Sequence, residues 1–283
     1  MEENMRAFIE NWNECLKAKT QEILQTDTSM REFFEYLIRE RSNHTVFNKI
    51  MIRAYCPQAT DVRPKETWEN MNITIAKPDE AIWTMRYHGK EWGFYPQLEY
   101  DISATSAAEA KLPDEKLPAD YVMELLLADP IAKLSFVNIG SQLKAYYNDE
   151  TKTITYTGGF TSYDEICTRF FREYVHALLH ADDYHWKQME WVSERMEGTL
   201  PYRYERARKD PIATIAVFLL ETRYGTRHMS SSRFCADFET DREAREYIQA
   251  ALSAANRITF HLQDVERRLK EEDAAREKAE KGG

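Results

Sequence analysis

The segment Phe171-Arg172-Glu173-Tyr174-Val175-His176-Ala177-Leu178-Leu179-His180 gathers the residues best equipped for chemistry in this 283-residue chain. On a helix, His176 and His180 stand one turn apart on one face, with Glu173 just ahead of them. In the pattern His-Glu-x-x-His, two imidazoles at i and i+4 bind Zn²⁺ and the glutamate takes a proton from metal-bound water. Here the first position is Arg172. A guanidinium stays charged, offers no lone pair and repels a cation. The residues alone leave three readings open. The histidines are structural; or a re-formed metal site uses His176 and His180 with Asp182, Asp183 or His185; or Glu173 and His176 form a metal-free acid/base pair. Neither Ser nor Cys stands nearby as a nucleophile.

A helix near Tyr163 to His180 must carry this segment, with Ile166, Phe170, Val175, Leu178 and Leu179 as its buried face. Three more helices are expected near Trp186 to Met196, Glu205 to Tyr224 and Asp241 to Lys270. Ahead of them the pattern predicts a short helix (Tyr121 to Leu127), a strand (Leu134 to Ile139) and a hairpin. Its arms are Ala145-Tyr146-Tyr147 and Thr153-Ile154-Thr155-Tyr156, around the turn Asn148-Asp149-Glu150. In the N-terminal half, Phe8, Trp12, Leu16 and Ile23 recur at helical spacing. A second helix follows the capping signal Thr28-Ser29, and a third runs from about Thr45 to Tyr55 and stops at Pro57. From Asn72 the period becomes two: Ile73 and Ile75, then Ile82 to Arg86, then Trp92 to Ile102 predict a small antiparallel sheet. The stretch rich in Ala, Ser, Asp, Lys and Pro before Pro118 reads as a linker. The domains expected are residues 1–105 and 119–283, joined by 106–118.

Composition bounds the partners. The chain is 43% hydrophobic, enough for a sizeable core, and its longest apolar run, around Ile212 to Leu220, is far shorter than the roughly 20 residues that span a bilayer. No membrane association is expected. The acidic start MEENMRAFIE lacks the cationic, then apolar, layout of a secretory signal, so a cytoplasmic location is expected. Cys15, Cys56, Cys167 and Cys235 are scattered, without a C-x-x-C pair, and read as reduced core thiols. With 38 Lys+Arg against 48 Asp+Glu the net charge is −10, so the whole-molecule field repels nucleic acid. Yet Arg39 to Leu98 holds nine bases against seven acids. Arg41, Lys49, Arg53, Lys77 and Arg86 are candidates to line a groove for single-stranded nucleic acid, with Trp68, Trp83, Tyr87 and Trp92 as stacking platforms. A competing reading makes the acids Asp182, Asp183, Glu190, Glu194 and Glu197 a surface for a basic protein partner.

Certain motifs occur in a telling order. The first half offers Phe47-Asn48-Lys49, Pro57-Gln58-Ala59-Thr60, Thr67-Trp68, the turn at Lys77 and Tyr100-Asp101-Ile102-Ser103-Ala104-Thr105. The second offers Ala145-Tyr146-Tyr147, then Glu173 with His176 and His180, then the helix Ala213 to Gly225. In this order the chain resembles the ArdC-type antirestriction proteins and related conjugative-element proteins, which join a single-stranded-DNA-binding domain to a zinc-metallopeptidase-like domain. The resemblance implies an α+β fold: N-terminal helices with a small antiparallel sheet, then a mainly helical zincin-like domain. It adds Asn48 to the expected DNA contacts. It also implies that the first zinc ligand falls on Arg172 and the third, a glutamate, on Thr214, which leaves His176 alone of three. Glu173, His176 and His180 are then remnants, and no cofactor is expected. The function this implies is a non-catalytic anti-defence protein of a mobile element or phage that binds single-stranded DNA. The alternatives are an acidic inhibitor of a defence nuclease and a residual zinc-dependent hydrolase.

Overall fold

The computed structural model describes residues 2–87, 94–108, 116–138, 144–181, 206–226, 234 and 238–282. The chain divides into two compact units, Met1–Asp114 with Arg233–Gln249, and Glu115–Ser232 with Ala250–Gly283. Each has helices around one small sheet, which is the expected α+β class.

The first unit begins with α1 (Glu2–Leu24), α2 (Asp27–Arg39) and α3 (Val46–Tyr55). The cap of α2 is Thr26, not Thr28. Its hydroxyl accepts from the Ser29 amide while Ser29 Oγ accepts from the Thr26 amide, each at 3.1 Å, a reciprocal capping box. Thr45 caps α3, and the helix stops before Cys56-Pro57. Met30, Phe33, Phe34 and Leu37 of α2 and Val46, Ile50, Met51 and Ile52 of α3 are buried. At about 1.5–3 kcal/mol for each large side chain, they provide much of this unit's stabilisation.

The sheet of this unit is antiparallel, in the order β1-β3-β2, with β1 Val62–Pro64, β2 Ile82–Tyr87 and β3 Phe94–Asp101. β1 and the short α4 (Lys65–Asn70) fill a stretch to which the sequence pattern assigned no element. Conversely, Ile73 and Ile75 do not form the predicted strand. Ile75 makes only an isolated bridge to Thr105, because Asn72 adopts a left-handed turn (φ 60°) that breaks an extended run.

The second unit contains α5 (Ala119–Ala128), β4 (Lys133–Phe136), β5 (Ala145–Asn148), β6 (Thr153–Tyr156), α6 (Tyr163–His180) and α7 (Arg206–Tyr224). Strands β5 and β6 form the expected hairpin, and β4 joins β6 in parallel. The last helix, α8 (Asp241–Gly282), belongs to the first unit as far as Gln249 and to the second from Ala250. α7 is apolar on every side from Ile212 to Leu220 apart from Thr214, and those apolar residues are all buried, as an all-round hydrophobic helix must be. It runs against α6, whose Phe170, Phe171, Tyr174, Val175, Leu178 and Leu179 are buried in turn. The predicted helix from Trp186 to Met196 lies outside the described residues. None of the described helices is long and apolar enough to cross a membrane.

Candidate functional site

The motif lies on α6, which is started by Ser162. Its hydroxyl accepts from the Glu165 amide (3.1 Å). The first turn is then locked by Glu165, whose carboxylate takes the Lys144 ammonium (2.6 Å) and both the amide (2.9 Å) and hydroxyl (2.8 Å) of Thr161. Lys144 first, then Thr161, hold the Glu165 carboxyl down at about 2.

Two turns further on, Arg172 reaches across to α7. Nη1 donates to Thr214 Oγ1 (3.2 Å) and Nη2 to Asp210 Oδ1 (2.9 Å). The same Asp210 oxygen lies 3.0 Å from His176 Nε2. His176 is completely buried, while the Arg172 and Asp210 side chains keep 30% and 43% exposure, so the cluster opens to solvent on its arginine-carboxylate side. The two positions read from the resemblance as lost ligands, Arg172 and Thr214, therefore touch each other beside the remaining one, His176. Glu221 has a bond of its own. Two turns beyond Thr214, about 10 Å along the helix, it is buried and accepts from Thr168, one turn before Arg172. The helices pass in opposite senses, so Glu221 lies on the side of Arg172 away from His176.

The other motif residues face β5. Glu173 is buried and accepts the Tyr147 amide (2.7 Å). His180 Nδ1 lies 2.9 Å from the Tyr147 hydroxyl, with the two rings edge to face at 5.8 Å. Burial first, and then Asp149, push the Tyr147 hydroxyl's pKa up, so it stays protonated and is suited to donate to the imidazole.

This donor set does not fit a catalytic metal. One imidazole nitrogen is engaged by a carboxylate, the second position presents a guanidinium and the third a hydroxyl already accepting from it. The Arg172 cation satisfies the Asp210 charge itself. Among the described residues no three His, Cys, Asp or Glu side chains gather to hold a metal ion. Asp182, Asp183 and His185, named for a re-formed site, lie outside the described residues, as do Glu190, Glu194 and Glu197. Cys167 is no nucleophile: burial pushes its thiol up to about 12, and it donates to the Ala119 carbonyl.

Sequence reasoning missed Asp210, although it stands one turn before Thr214 on the same face of α7. That spacing from a presumed ligand position is the signal that points to it.

In the first unit the structure separates the expected DNA contacts into two groups. Asn48, Lys49 and Trp68 are buried, and their assignment to a DNA surface is corrected. Lys49 spends its donors on the Glu40 carboxylate, the Glu40 carbonyl (2.8 Å) and the Ser42 carbonyl (2.9 Å). Asn48 pairs with both backbone groups of Met85, at 2.9 Å each, and so closes the outer edge of β2 as a neighbouring strand would. Trp68 donates to the Tyr100 carbonyl (2.9 Å) and lies under the Arg63 guanidinium. Arg41, Lys77 and Arg86 are exposed, and Lys77 lies 3.1 Å from Glu80. Arg53 is half-buried over the Phe33 ring, 3.6 Å from Glu32. Of the tryptophan platforms, Trp83 is 38% exposed and meets Phe8 edge to face. Trp92 lies outside the described residues.

No protein-family model matches the chain, and no curated protein does. Among solved structures, the chain is similar to the Mn(II)-bound crystal structure of the antirestriction ArdC protein of plasmid R388, with a TM-score of 0.50 at 14% identity. The match covers 88% of this chain and 97% of that one. The metal-free structure of the same protein gives 0.43 at 13% identity over the same shares. The first likeness shows a shared fold spanning both units, in agreement with the motif order read from the sequence.

Proposed function

We propose that this chain, built on the ArdC fold, is a non-catalytic antirestriction-type protein of a mobile element or phage. In this reading its N-terminal domain holds single-stranded DNA, and its second domain is a metallopeptidase scaffold without catalytic zinc. The observation that carries the second half is the Arg172 guanidinium bonded to Thr214 and Asp210 beside His176. A permanent cation held there by a carboxylate takes over the charge that a metal would otherwise supply between the two helices. Glu173 can then no longer act as base on a metal-bound water, and its carboxylate instead secures β5 to α6 through Tyr147. The anti-defence setting is taken from the ArdC protein whose fold the chain shares.

The metal half is tested by dialysing purified protein against zinc and measuring bound metal. Wild type should retain only trace zinc. The double variant Arg172→His/Thr214→Glu, which puts an imidazole and a carboxylate beside His176, should retain a stoichiometric amount. Stoichiometric zinc on wild type would return the chain to the hydrolases. The DNA half is tested by anisotropy of labelled single-stranded and duplex oligonucleotides across a salt series, where preference for the single strand is expected. The second reading, an acidic blocker of a defence nuclease, draws on the net charge of −10. A nuclease complex displaced by added DNA would favour it.

A further inference from the structure

Directly paired residues of an antiparallel sheet share a face. The pairs Trp83↔Leu98, Met85↔Pro96 and Tyr87↔Phe94 therefore put six residues of β2 and β3 on one side. On the other side Val62, Ile82, Thr84, Glu99 and Asp101 are buried, and only toward the strand ends does it expose Arg86 and Tyr95. On the first side Tyr87, Phe94 and Leu98 are 45%, 42% and 41% exposed, close to the value for Trp83. Tyr87 and Phe94 stand together with ring centroids 5.4 Å apart. Exposed rings clustered on one sheet face mark an interaction surface.

The charges identify the kind of partner. The three strands carry four charged residues: Arg63, Arg86, Glu99 and Asp101. Both acids are buried on the side opposite the rings; Arg86, paired with Tyr95, is exposed on that opposite side, whereas Arg63, which also holds Asp61, is partly exposed on the side of the rings, opposite Tyr100. In a protein with ten more acids than bases, the ring-bearing side of this sheet carries no acid: it shows solvent aromatic rings, Leu98 and one arginine. That combination suits a polyanion whose bases stack, and a single strand presents its bases for stacking where a duplex does not. Trp83 and Tyr87, four residues apart, are separated by about 13 Å, room for two or three splayed bases.

We infer that this face of β2 and β3 is the single-strand platform: bases stack on Tyr87, Phe94 and Trp83, and Arg63, on the same side, meets the phosphates. The inference rests on the single-strand-binding reading above and gives it a surface that excludes Asn48, Lys49 and Trp68.

The test uses the full chain and a labelled oligo-dT, read by anisotropy at low salt. Tyr87→Ala/Phe94→Ala should weaken binding at least about tenfold, since each lost stack is worth a factor of that order. Tyr87→Phe/Phe94→Tyr, which keeps both rings, should bind as wild type does. Undiminished binding by the alanine pair overturns the platform and leaves DNA binding itself standing. Absence of binding by wild type overturns both and turns the face toward a protein partner. If the alanine pair melts early, photocrosslinking of wild type to bromouracil-containing oligonucleotide decides. Crosslinks at Trp83, Tyr87 or Phe94 support the platform, and crosslinks confined to other elements overturn it.

Discussion

At the scale of the residue, two cations show how position overrides type. Arg172 and Lys49 both look like surface charges in sequence, yet each is committed to a carboxylate. For Lys49 the commitment is deep: both it and Glu40 are almost fully buried, so removing one leaves the other uncompensated in a medium of low polarity. Lys49→Met should therefore lower stability by about 3–5 kcal/mol in chemical denaturation. A loss under 1 kcal/mol would show that Glu40 escapes to water. Substituting Lys49 thus reports on folding, not on DNA contact. Arg172 is different, because its pair with Asp210 keeps contact with solvent. Arg172→Met should cost only about 1 kcal/mol or less.

At the scale of the element, the start of α6 carries a pH signature. The folded Glu165 carboxyl titrates near 2, below its ordinary 4.5. A depressed folded pKa contributes stability that is full above the unfolded value and is lost as pH falls from about 4.5 toward 2. Glu165→Gln should destabilise the protein at pH 7 by about 1.5–3 kcal/mol, the range of hydrogen bonds to charged groups. The gap to wild type should narrow as pH falls through that window, because wild type then loses the same charge. A gap constant down to pH 2 would mean that the Lys144 pair contributes nothing. In the first unit, Asn48→Leu should leave both backbone groups of Met85 without partners, at about 1–3 kcal/mol each, and expose the edge of β2 to self-association. Thermal melting with light scattering checks both effects.

At the scale of the whole molecule, a net charge of −10 opposes nucleic acid, and Lys49, Arg53, Arg63 and Lys77 of the first unit each lie against a carboxylate. In the single-strand reading proposed above, stacking must then carry the affinity. The dependence on salt should be shallow, since each phosphate contact on a single strand adds only about 0.7 to the log–log slope. With Arg86, Arg63 and Lys77 as contributors, a slope of magnitude about 2 or less is expected from anisotropy at several salt concentrations. A slope of about 5 would require a basic groove elsewhere.

The sequence by itself determined α1 to α3, α5 to α8 and the second hairpin, because apolar periodicity, capping residues and prolines act over a few positions. It also determined that Arg172 cannot ligate a metal, since that follows from the guanidinium alone. The order of motifs carried the fold, and the shared architecture agrees with it. Only the tertiary structure decided that Arg172, Thr214, His176 and Asp210 form one cluster, because α6 and α7 bring together residues 34 to 42 positions apart. It also separated Lys49 from Arg86, a distinction that no local pattern contains. Lys49 is turned inward by Glu40 and by two carbonyls that the chain bends back to present, whereas Arg86, near the C-terminal end of β2, is exposed. Whether a charge reaches solvent depends on which long-range partners can replace its water, and that is decided by packing.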